Sequence, residues 1–199
     1  ERWREALSPE AQALVDQALN GLSSVHDHHV HLIATGHEDS GASFHPDLLS
    51  WLHPIKKIKT AVYQMAGGVE TIEKTDSQYV TRLKSLMDHY PVELSVSLLA
   101  FEGYHDPKGA AQADKTAFHV PNAWTFEVAK RLGEQVQPVA SIHPYRADAV
   151  SELQKWHAAG GRMIKWLPNS MGMDPGSPKC DPFYDEMAKL GVSLLSHAG

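Results

Sequence analysis

A parallel β-sheet covered by helices is the fold that this 199-residue sequence predicts, and three observations carry it. Five short apolar segments read as strands, and stretches of helical periodicity separate them. Parallel neighbours cannot be joined by a tight hairpin and need a crossover, so the alternation implies βαβ units. Neither G-x-G-x-x-G nor G-x-x-x-x-G-K-[ST] occurs, so the glycine-rich phosphate loop expected of a doubly wound sheet is missing. The conspicuous polar residues His29, His31, His143, Lys165 and His197 fall toward the C-terminal ends of the predicted strands, where a TIM (β/α)8 barrel carries its working groups. The expectation is an α/β protein of the TIM (β/α)8 barrel type.

The elements follow in order. Ser8 as N-cap and Pro9 at the first helical position open a helix whose Ala11, Leu14, Val15, Ala18 and Leu19 share a face, and Gly21 ends it. Val25 to Ile33 reads as the first strand, with period-2 alternation placing Asp27, His29 and His31 on one face. Residues 34–75 are punctuated by Gly, Ser and Pro and form an excursion with one or two short helices, an insertion or lid over the mouth after strand one. Tyr79, Val80, Leu83, Leu86 and Met87 mark a helix over 76–89, and the strand 92–101 follows. Asn122 is expected to cap a helix over 123–135, before a third strand over 138–143. A helix over 147–159 leads to a fourth strand at 162–168, and Phe183 to Leu190 leads to a fifth at 192–197. Five strands cannot close a barrel that takes about 250 residues. The chain is therefore expected to be a single barrel domain over 1–199 that is C-terminally incomplete, the N-terminal portion of a longer polypeptide.

Composition narrows the function classes. The formal net charge is -6, which disfavours a nucleic-acid surface. No apolar run is long enough to span a membrane, and the one cysteine, Cys180, suits a reducing, cytoplasmic setting. Thirteen histidines are present, and histidine is the commonest metal ligand. His29 and His31, two apart on a strand, put both imidazoles within reach of one ion. Lys165 stands alone in the apolar run Met163 to Pro168, where an unpaired ammonium costs several kcal/mol to bury, so it needs a partner or a lowered pKa. His197 closes another apolar strand. His143, beside Pro144, is a candidate to orient a substrate carbonyl or carboxylate, or else a structural histidine bonded to backbone, and Asn169 is a second candidate substrate contact. Lys56, Lys57 and Lys59 could attract an anion or simply form a wetted helix face. No G-x-S-x-G elbow and no H-E-x-x-H occurs.

Asp27-His28-His29-Val30-His31 on the first strand, Lys165 on the fourth and His197-Ala198-Gly199 on the fifth resemble the amidohydrolase superfamily of metal-dependent hydrolases. The Asn122-Ala123-Trp124 helix start, Ser141 to Pro144 and Gly160 to Lys165 point toward its aminocarboxymuconate semialdehyde decarboxylase-like branch, over residues 25–199. The resemblance implies a divalent ion, most often zinc, held by His29, His31 and His197, with one or two ions bound. In some members the strand-four lysine, here Lys165, is carboxylated and bridges two metals. The family's catalytic aspartate lies on an eighth strand that this text does not reach, so no catalytic base is assigned. The implied reaction is hydrolysis of a C–N, ester or lactone bond in a small substrate by water that the ion acidifies. Decarboxylation by the same ligands and a non-catalytic partner subunit are the alternatives. A small-molecule substrate is the expected partner, and self-association into a homo-oligomer stays open.

Overall fold

The structure is a computed structural model in which residues 7–48 and 50–197 are described. Helix α1 (Pro9–Leu19) has Ser8 as its N-cap, the side chain accepting from the Ala11 N–H, yet none of its residues is fully buried. Strand β1 (Ser24–His31) follows. The excursion after it holds the short strand β2 (Ser43–Phe44), a 3-10 turn at Pro46–Leu48, helix α2 (Pro54–Ala66) and a second 3-10 turn at Ile72–Lys74. Helix α3 (Thr75–Asp88), strand β3 (Glu93–Leu99), the short strand β4 (Phe118–His119) and helix α4 (Asn122–Leu132) come next. Strand β5 (Val136–Val139), helix α5 (Ala149–Ala158), strand β6 (Met163–Trp166), the single turn α6 (Pro168–Met171), helix α7 (Asp181–Leu190) and strand β7 (Ser193–Ser196) complete the order.

The longer strands are all parallel. One sheet has the order β1-β3-β5 and a second pairs β6 with β7. A parallel bridge between Ala140 and Ile164, with the Lys165 N–H donating to Ala140 O at 2.8 Å, joins them. The five strands thus lie side by side in chain order, without the reversal that creates the ligand crevice of a doubly wound sheet. The antiparallel ribbon β2-β4 ties the excursion after β1 to the loop after β3.

Hydrophobic burial divides along the same line. Val96, Leu98, Val128, Ala129, Val136 and Leu83 form one cluster, in which β3 and β5 pack on α3 and α4. Ile164, Trp166, Leu153, Phe183 and Met187 form another, in which β6 packs on α5 and α7. Ile164 and Trp166 both belong to this helix-facing cluster, so period 2 turns Lys165 to the opposite face of the sheet.

Several local expectations shift. The third strand is β5 at 136–139 rather than 138–143, because the chain leaves regular pairing after Val139 and touches β6 through one bridge at Ala140. His143 therefore lies in the loop beyond β5. Asn122 does not cap α4: Pro121 holds the cap position, and the Asn122 side chain bonds both the N–H and the C=O of Ser141 (2.8 and 3.0 Å), pinning the chain just past β5. The first strand carries a β-bulge. Asp27 pairs with Val96 and Val30 with Leu98, leaving His28 and His29 opposite Ser97 alone. Paired residues share a face, so Asp27 lies with Val96 on the helix side while His31 lies with Leu99 on the other. The expected one-face set of Asp27, His29 and His31 is broken by that extra residue.

Candidate functional site

The end of β1 carries the first two groups of the site. The Nε2 atoms of His29 and His31 approach to 3.0 Å. Two N–H groups cannot face each other at that distance, so at most one of the two nitrogens carries a proton and the pair holds at most one positive charge. Phe101 stacks on the His31 ring with centroids 4.5 Å apart, and the Tyr79 hydroxyl donates to the His31 carbonyl, so α3 and the end of β3 fix this residue from two directions. Asp27 accepts the backbone N–H of His29 (2.9 Å), and its carboxylate braces the bulge.

Lys165 closes the site from β6. It is fully buried, and its Nζ has no hydrogen-bond partner. His31 Nδ1 is likewise buried without a partner. Two orphaned nitrogens so close to a histidine pair are unusual, because buried polar groups are nearly always bonded. His197 follows β7, is exposed, and hangs from the β6 edge by its N–H donating to Trp166 O (3.0 Å). Ala198 and Gly199, which extend the motif in the sequence, lie outside the described residues.

Electrostatics shows that these groups feel one another. Burial, then the charges of His29, Lys165 and His197, push His31 down to about 4. Burial first and Lys165 second lower His29, with Asp27 opposing them. Burial alone lowers Lys165. Every shift favours the unprotonated nitrogen, the form that donates a lone pair.

A divalent ion fits the nitrogens present. With N–metal distances near 2.0–2.1 Å, two ligands of a tetrahedral ion stand about 3.3 Å apart, close to the 3.0 Å between the two Nε2 atoms. Among the described residues no group of three or more His, Cys, Asp or Glu side chains is set to hold a metal ion.

The other singled-out residues lie apart. His143 is fully buried, its Nδ1 accepting from the Tyr145 N–H (3.1 Å) and its Nε2 donating to Met171 O (3.0 Å). Both nitrogens are spent on backbone, which is the structural alternative weighed for it and leaves no ring atom for a substrate. Burial, followed by His105, pushes it down to about 4. Asn169 sits exposed on α6, just beyond β6. Of the lysines on α2, Lys57 lies over the Trp51 ring, 3.1 Å from its centroid, and the side chains of Lys56 and Lys59 lie outside the described residues.

Sequence reasoning missed three features. His26 and His28 stack (4.1 Å) and share the buried Ser97 hydroxyl, at 2.9 and 3.2 Å. Glu102, almost buried, pairs with Arg146, whose guanidinium also forks onto Asp148 (both bonds 2.8 Å). These charges line a cavity of about 840 Å³ that contains none of His29, His31, Lys165 or His197. A second cavity, of about 540 Å³, has His31 in its wall. A lone arginine two residues after a His-Pro pair was the only visible hint of the first, and nothing in the text marked the second.

Compared with known families, residues 26–199 match the family described as amidohydrolase. No curated protein matches the chain, and no solved structure does.

Proposed function

We propose, because the chain belongs to the amidohydrolase family, that it carries a metal-dependent hydrolase centre built on His29 and His31, acting on a C–N, ester or lactone bond of a small substrate. The approach of the two imidazole nitrogens to 3.0 Å, beside a buried lysine nitrogen without a partner, is the observation that carries this reading. His29 and His31 would hold a divalent ion, with His197 and Lys165 completing the donor set, and the ion would supply Lewis-acid polarisation of a carbonyl and acidification of water. Nitrogen ligation favours zinc among the common ions. Strand order along the sheet, β1 to β7 without reversal, supports a barrel arrangement in which these groups stand at one end.

The chain's own groups do the rest. Phe101 and the Tyr79 hydroxyl hold His31 in one orientation, so its ligand nitrogen is placed before anything binds. Neutral imidazoles, kept so by burial and mutual repulsion, present lone pairs at physiological pH. The buried Lys165 amine, with its lowered pKa, is a nucleophile toward carbon dioxide. Carboxylation of Nζ, in which the new N–C bond replaces one N–H and the proton passes to water, would turn an unpaired nitrogen into an anion that a cation neutralises.

Metal analysis of the complete protein after gentle purification, followed by parallel assays for cleavage of amide, ester and lactone panels and for carbon dioxide release from carboxylated substrates, tests the proposal. Bound metal with cleavage supports it. Carbon dioxide release without cleavage replaces hydrolase by decarboxylase, and less than about 0.1 ion per chain favours a non-catalytic subunit.

A further inference from the structure

The cavity that shares His31 differs from the larger one in its chemistry. Its walls are Phe44, Val69, Ile72, Phe101 and Phe118 around the His31 ring, with α2 contributing Gln64, and among the described residues no Asp, Glu, Lys or Arg side chain lines it. Three of the hydroxyls that reach it are already spent: Thr35 and Thr75 both donate to Ile72 O (2.9 and 2.8 Å), and Tyr79 donates to His31 O. A charged group entering this space would lose its water and find no counter-ion among the described lining residues, whereas an apolar group gains about 25 cal/mol for each Å² it buries. Charge has a home elsewhere, since Glu102, Arg146 and Asp148 line the other cavity and Phe44 is common to both.

We infer that the cavity beside His31 takes an uncharged apolar group of the substrate, alkyl or aryl, seated against the ring that the hydrolase reading makes a metal ligand. The inference rests on that reading for the word substrate, while occupancy of the cavity needs no metal. About 540 Å³ lies within the range of sites that enclose a small organic ligand, so an arm of phenyl to phenylbutyl size is accommodated. Specificity then comes from desolvation: the cavity contributes little to a carboxylate and more with each added methylene, at about 0.8 kcal/mol per buried CH₂.

The test uses a matched pair of probes, 4-phenylbutyramide and 4-phenylbutyrate, titrated calorimetrically into the full-length protein kept free of metal with a chelator. The amide is expected to bind at least tenfold more tightly than the carboxylate. Gln64→Lys, which places a cation at the cavity wall from a half-buried helix position, is expected to narrow that preference to less than threefold. Thr60→Lys, on the same helix and the same wall, serves if the first variant does not fold. Equal or tighter binding of the carboxylate, or a preference unmoved by the substitution, overturns the inference. If the amide preference holds while the chain takes up no metal, the apolar cavity stands and the hydrolase reading falls. If metal loads and substrates are cleaved without any amide preference, the outcome is the reverse.

Discussion

Replacing Lys165 by Met separates the cost of an orphaned nitrogen from its use. The lysine is fully buried with no acceptor for Nζ. Burial already lowers its pKa, so the folded state carries either a neutral amine without a partner or an ammonium at higher cost. An unsatisfied buried polar group costs about 1–3 kcal/mol by mutational measure. Met keeps a similar unbranched volume and removes the polar end, so the metal-free Lys165→Met chain is expected to be more stable by about 2 kcal/mol. For a domain of this size that is about 4–8 °C in Tm. With metal present the sign reverses: the wild type gains stability from the ion through mass action, and the variant gains at least tenfold less in apparent affinity. Urea and thermal unfolding, each run with chelator and with excess zinc, read both arms. A variant that is destabilised without metal and binds metal as tightly as the wild type would refute the reasoning, because Lys165 would then have a partner in the fold and no part in the site.

Further outcomes follow from the same geometry. His31→Ala removes one nitrogen of the 3.0 Å pair and is expected to weaken metal binding by more than the roughly 10–100-fold typical of outer-sphere partners, as measured by competition with a chromophoric chelator. Tyr79→Phe deletes the hydroxyl that bonds the His31 carbonyl and is expected to cost about 1–2 kcal/mol in urea unfolding, with a smaller loss of metal affinity than His31→Ala. His143 is held near 4 in the fold against 6.5 when free. The unfolded chain therefore binds a proton between those values that the folded chain refuses, so its contribution is full above about pH 6.5 and is lost as pH falls toward 4, by at most about 3 kcal/mol. Unfolding free energies at pH 7 and 4.5 are expected to differ less in His143→Gln than in the wild type. Gly36→Ala is expected to destabilise by more than about 2 kcal/mol in the same assay, since φ is +82° and a Cβ would stand 2.1 Å from Ala42 O.

The parts of this architecture that could be read from the text were those set by local pattern. A polar residue in an apolar strand is conspicuous wherever it falls, which made Lys165 and His197 visible, while His29 and His31 were visible through their spacing two apart on one strand. Helix punctuation was equally local: Ser8 caps α1 through its own side chain, and Gly191 ends α7 with φ +64°. What escaped was set by register between distant segments. The bulge that turns Asp27 away from His31 exists only against β3, some seventy positions on, so no reading of 25–33 alone could reveal it. The stacking of Phe101 on His31 and the sharing of Ser97 by two histidines depend on the same pairing. Asn122 looked like a cap because Asn commonly is one, but its side chain found both backbone groups of Ser141 and left the cap position to Pro121. His143 was ambiguous in the text because its second backbone partner, Met171, comes from the turn after β6.

Ligation of one ion by the facing nitrogens of His29 and His31 is the geometry on which the proposed function stands. Crystals grown with zinc, with anomalous differences collected on both sides of its absorption edge, test it most directly. A peak is expected about 2.0–2.1 Å from both Nε2 atoms, absent in a His29→Ala, His31→Ala double variant. A peak bound elsewhere in the wild type, or none between these two rings at saturating zinc, would contradict it.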